Sequence, residues 1–92
     1  MSYTTRVELH YANDNDYETL HTAMKREGFS RFITSSEGTR YHLPTAEYNY
    51  KGDLTLDQVL AAAKRAADTT GLTNAVLVTE SDGRRWSGLK AA

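Results

Sequence analysis

Apolar and polar positions alternate with a period of two over "TTRVELHY", residues 4–11. Thr5, Val7, Leu9 and Tyr11 fall on one side and Arg6, Glu8 and His10 on the other. This pattern predicts a strand with one buried face. "ANDND" interrupts it with turn and N-cap residues. Tyr17, Leu20, His21 and Met24 then recur at helical spacing, and Gly28 supplies a stop. A first helix is expected from roughly Asp14 to Glu27, acidic at its N-terminal end, where the macrodipole favours carboxylates.

"FSRFITSSEGTRYHL" predicts two short strands joined by a turn at Ser35–Gly38, a hairpin. The third strand continues through Pro44, the chain's single proline, into "TAEYNYKG". Before Pro44 the apolar residues are odd-numbered (Tyr41, Leu43), and after it they are even (Ala46, Tyr48, Tyr50). A switch of parity at one residue, where a ladder donor is also missing, predicts a β-bulge near Pro44. The helix-facing side then collects Tyr41, Leu43, Ala46, Tyr48 and Tyr50, with Phe32 opposite Tyr41 across the hairpin and Ile33 left on the open face.

The second helix has the clearest local signature. Thr55 with Gln58 forms a capping box, Leu54 with Val59 fits a hydrophobic staple, and Leu56, Val59, Leu60, Ala63 and Ala67 make the apolar stripe that ends before Gly71. "AVLVTE" is a short, largely buried strand, and Asp82-Gly83 is a tight-turn signal after which "RRWSGL" folds back as an edge strand. The closing "GLKAA" is expected to fray. The order β-α-β-β-α-β in a single domain, residues 1–92, predicts an α+β ferredoxin-like fold. Its sheet would have four antiparallel strands in order 4-1-3-2, a possible fifth C-terminal strand, both helices on one face and the other face open.

Composition narrows the functions open to such a fold. Eleven basic and twelve acidic residues leave a net charge of −1, so any polyanion must be held by a local patch and not by a global field. Cysteine is absent, which excludes disulfides, thiolate catalysis and thiolate-bound zinc. No cofactor or metal is expected. "MSYTTRVELHY" has no signal-peptide apolar core and no apolar run is long enough for a membrane, so a soluble, cytoplasmic protein is expected, as a monomer or weak homodimer.

The open face gathers Arg6, Glu8, His10, Arg31, Arg40, His42, Glu47 and Asn49. Two facing histidines with arginines are the parts of a metal-independent ribonuclease: one imidazole takes the 2′-hydroxyl proton, the other protonates the leaving oxygen, and an arginine stabilises the phosphorane. The bland reading of these residues is a solvated surface. Arg84, Arg85 and Lys90 with Trp86 form a second cluster able to grip a phosphate and stack a base, unless Trp86 only caps the core. Asp14 and Asp16 could ligate a metal or simply cap the first helix, and His21 at that helix's apolar border reads first as a packing residue. An RNA-recognition platform is disfavoured because the strand aromatics face inward.

"RVELHYANDNDYETLHTAMKREGFSR", "TRYHLPTAEYNY" and "VLVTESDGRRWSGL" together resemble the GhoS-type endoribonuclease antitoxins of type V toxin–antitoxin systems, once catalogued as a small domain of unknown function. The resemblance runs from Tyr3 to about Leu89. It implies a ferredoxin-like fold similar to the small nuclease of the CRISPR adaptation machinery. It also implies an antitoxin that cleaves the single-stranded mRNA of a membrane-disrupting toxin instead of binding the toxin itself. The family's activity-linked arginine in the first helix falls near His21, which would substitute as a proton shuttle or phosphate contact. The residues expected to act are His10, His42 and His21 in catalysis, and Arg31, Arg40, Arg84, Arg85 and Trp86 in RNA binding. The alternative is a protein- or RNA-binding module without catalysis.

Overall fold

In the computed structural model, which describes residues 1–92, β1 (Ser2–Leu9) buries Tyr3, Thr5, Val7 and Leu9 and turns the intervening side chains outward, as its alternation predicts. The alternation stops at Leu9. Tyr11 adopts a left-handed φ of 59° and is fully exposed, so it does not extend the buried face. Helix α1 (Asp14–Arg26) starts from an Asn13 cap: the Asp16 N–H donates to Asn13 Oδ1 at 2.9 Å, and the Asn13 N–H donates to Asp16 Oδ2 at 3.0 Å. Asp16 is thereby committed to capping. Gly28, at φ +95°, lets the chain leave the helix.

Three short strands follow: β2 (Phe32–Thr34), β3 (Arg40–His42) and β4 (Glu47–Lys51). Helix α2 (Leu56–Asp68) has the Thr55–Gln58 capping box that the sequence predicts, and β5 (Asn74–Ser81) completes the set. Strand β1 is central, with β4 and β5 antiparallel on either side. Leu20, Ala23 and Met24 of α1 and Val59, Ala62, Ala63, Ala66 and Ala67 of α2 pack with Tyr3, Val7, Leu9, Phe29 and Tyr48 in one core. The buried stripe of α2 is rotated from the expected one: Ala62 and Ala66 join Val59, Ala63 and Ala67, whereas Leu56 and Leu60 stay 44% and 42% exposed. Leu20 and Met24 are fully buried, so truncating either to Ala is worth about 2–5 kcal/mol.

The expected four-stranded 4-1-3-2 ferredoxin-like sheet is not formed. The chain makes a three-stranded sheet, β4-β1-β5, and a separate two-stranded hairpin, β2-β3. The cause lies at Pro44. The predicted bulge is a complete break: the Glu47 N–H turns back to the Pro44 carbonyl at 3.1 Å, and Ala46 takes a left-handed φ of 65°. Pairing with β1 begins only where the Val7 N–H reaches the Ala46 carbonyl at 3.0 Å. Upstream, the hairpin touches the main sheet through a single bridge, Ser30 with Asn49. Downstream, the even parity holds, and Ala46 and Tyr48 are buried.

The hairpin's register also differs from expectation. Phe32 pairs with His42 and Ile33 with Tyr41, and Ile33 is buried at 4% exposure where an open-face position was expected. The C-terminal segment adds no edge strand to the main sheet, and its end is tied down. His42 N–H donates to the Lys90 carbonyl, Ala92 N–H donates to the Arg40 carbonyl (both 2.9 Å), and Trp86 meets Tyr41 edge-on at 5.5 Å. No helix is long and apolar enough to cross a membrane.

Candidate functional site

The detached hairpin leaves a cleft against the C-terminal half of α1. Its volume is about 500 Å³, and His21, Thr22 and Lys25 of α1, Ser30 and Arg31 of the connection, Phe32 and Arg40 of the hairpin, and Tyr48 of β4 line it. The spacing His21–Lys25 places both on one helix face. Arg31 follows the bridge residue Ser30, and Arg40 opens β3, so the connection and the hairpin each carry one guanidinium group to the same opening.

His21 is the one histidine built into this cleft. Its Nδ1 lies 2.6 Å from the Tyr48 hydroxyl, leaving Nε2 as the free ring nitrogen. Rotation of the hydroxyl proton lets that bond serve both neutral tautomers. Nδ1–H can donate to Tyr48 Oη and leave Nε2 an acceptor, or Oη can donate to Nδ1 and leave Nε2–H a donor. Burial pushes the imidazole below its ordinary pKa, the Arg31 charge adds to that lowering, and Glu18 opposes it. Burial likewise pushes the Tyr48 hydroxyl well above the ordinary phenol range. The ring is therefore neutral at pH 7 and able to accept a proton, while its tyrosine partner stays protonated.

The cleft is electropositive although the chain as a whole is not. The protein's ion pairs are His10–Glu8, Lys64–Asp68 and Arg65–Glu27, so Lys25, Arg31 and Arg40 have no carboxylate partner. No Asp or Glu lines the cleft. Arg40 instead lies over the Phe32 ring, 4.3 Å from its centroid, and the His42 ring packs beside Phe32 at 4.8 Å. A cation held against an aromatic ring is oriented without being neutralised.

The other expected residues separate. His10 lies past the end of β1, its N–H donating to the Thr73 carbonyl and its ring bonded to Glu8 at 3.0 Å. His42 is on the hairpin, packed on Phe32, and no hydrogen bond, ring contact or shared cleft joins it to His10. Arg84 crosses the outer face of the main sheet, donating from Nε to Thr4 Oγ1 at 3.0 Å and from a terminal nitrogen to Asn49 Oδ1 at 2.7 Å. Burial lowers its pKa, but both partners are neutral, so its charge remains uncompensated. Arg85 is exposed and bonds the Arg84 carbonyl, and Trp86 is held by Tyr41. The sequence reading missed Lys25 and Tyr48. The His21–Lys25 spacing was the available signal for the first, whereas Tyr48 reads correctly as core, and only its hydroxyl reaches the site. No known family model matches the chain, and a search of the curated proteins returns no match.

Proposed function

We propose that this protein is a metal-independent endoribonuclease whose site is the His21 cleft, not the His10/His42 pair. The observation that carries the reading is a half-buried imidazole, its pKa pushed down by burial, with a free Nε2 in a cleft bearing three cations without counterions. In the reaction, Nε2 of His21 removes the 2′-hydroxyl proton of RNA. The 2′-oxygen then bonds to the adjacent phosphorus, the 5′-oxygen leaves with a proton from Lys25, and the site resets as His21 releases its proton to solvent and Lys25 takes one back. Products are a 2′,3′-cyclic phosphate end and a 5′-hydroxyl end. Arg31 and Arg40 offset the charge that builds on the phosphorane. The sequence resemblance makes the transcript of a short hydrophobic toxin the first substrate to try.

The test is incubation of the purified protein with that transcript, labelled, with and without EDTA. Cleavage that resists EDTA, leaves cyclic-phosphate ends and is lost in His21→Ala is expected. Cleavage that survives in His21→Ala would remove the assignment, and no cleavage by the unaltered protein would remove the nuclease reading. Binding of the transcript without cleavage would favour the second reading, an RNA-binding module, because unpaired cations hold phosphate without any chemistry.

A further inference from the structure

A second cleft, of about 320 Å³, lies on the other side of the hairpin's root. Arg40, Lys51 and Arg84 supply its charge, and Asn49 and Thr34 supply neutral polar groups. It shares Ser30, Phe32 and Arg40 with the His21 cleft, so the Arg40–Phe32 pair is the wall between the two. Neither cleft is lined by a carboxylate, and none of the five cations around them enters an ion pair. In a chain of net charge −1, this places five of the eleven basic side chains along one path.

We infer that the two clefts form one track for single-stranded RNA, with successive phosphates on either side of the Arg40–Phe32 wall and a base stacked on the Arg40 guanidinium. A lone mononucleotide would fill only one cleft. A ligand with anionic groups at intervals and flat groups between them matches two cationic hollows separated by a guanidinium held over a ring. Duplex RNA keeps its bases paired and cannot offer one to the wall. The inference rests on the His21 cleft being an RNA site, but not on cleavage there.

Lys51 tests it, because it is exposed, lines the second cleft only and forms no ion pair. Binding of a labelled single-stranded octaribonucleotide is measured by anisotropy over a range of salt. Binding of a dinucleotide is followed by the NMR shifts of His21. Lys51→Ala should weaken the octamer by about five-fold and flatten its log–log salt slope by about 0.7, the value for one phosphate contact on a single strand. The dinucleotide should be unaffected by Lys51→Ala and weakened by Arg31→Ala. An octamer affinity and salt slope unchanged by Lys51→Ala would overturn the track, as would a duplex octamer bound as well as the single strand. An octamer that binds as expected yet is never cut retires the nuclease and leaves the track standing.

Discussion

The Nδ1 of His21 and the hydroxyl of Tyr48 are 2.6 Å apart, joining a side chain on the rim of the cleft to one that is 1% exposed. Tyr48 belongs to the main core, while His21 faces the cations. The tyrosine therefore fixes the orientation of the imidazole from beneath. Tyr48→Phe keeps the ring packing and removes the bond, so it should cost about 1 kcal/mol of stability. Cleavage should fall further than binding, because the freed imidazole loses its orientation. Urea denaturation and a comparison of kcat with KM check this, and an unchanged kcat would show that the bond positions nothing.

Acidification should weaken the fold through His21. Its folded pKa is depressed by burial and by Arg31, so the unfolded chain takes up the proton first. Stability is fully present above about pH 6.5, the unfolded value, and is lost progressively as pH falls toward the folded one. Glu27 and Asp68, held low by Arg65 and by Asn74 with Lys64, act in a separate window below about pH 4.5. Melting temperatures between pH 7.5 and 5 should therefore drop more steeply in the unaltered protein than in His21→Gln. Arg31→Ala should raise the imidazole pKa and move the acid limb of the cleavage profile to higher pH. A limb that stays in place would mean that Arg31 does not act on His21.

The local elements were legible wherever local chemistry decides them. The Thr55–Gln58 capping box, the β1 alternation and the even parity after Pro44 all reappear in the structure. What the sequence does not show is how a missing donor and a left-handed residue two positions later add up. Both a bulge and a break switch the parity, and only the Ala46 conformation, with the turn from Glu47 back to Pro44, separates them. That one difference detaches the hairpin, undoes the four-stranded sheet and opens the cleft. The site was obscured for the same reason: His10 and His42 face each other only if β3 stays in the sheet, whereas His21 and Arg40 meet because it leaves.

Thr5 is fully buried on the helix-facing side of β1, and its hydroxyl has no hydrogen-bond partner in the protein. A buried hydroxyl without a partner carries its desolvation cost with no return. Thr5→Val keeps the shape and the strand preference and exchanges that hydroxyl for a methyl. It should leave stability unchanged or raise it by up to about 1 kcal/mol, with cleavage and RNA affinity untouched. A stability from urea denaturation lowered by more than about 1 kcal/mol would show that the hydroxyl is satisfied in solution.

Ala46 carries the break, and its φ of 65° is costly for any residue with a Cβ. The left-handed conformation costs about 1–2 kcal/mol outside glycine. Ala46→Gly relieves this but loses the burial of one methyl, about 0.8 kcal/mol, and adds about 0.5–1 kcal/mol of chain entropy to the unfolded state. These terms nearly cancel, so Ala46→Gly should lie within about 1 kcal/mol of the unaltered protein. Ala46→Val puts a β-branched residue where it is a steric outlier and should cost more than about 2 kcal/mol. If Ala46→Val is instead as stable as the unaltered protein, with the same m-value, the chain does not turn left-handed here. β3 could then rejoin the sheet, and His21 and Arg40 would lose their common cleft.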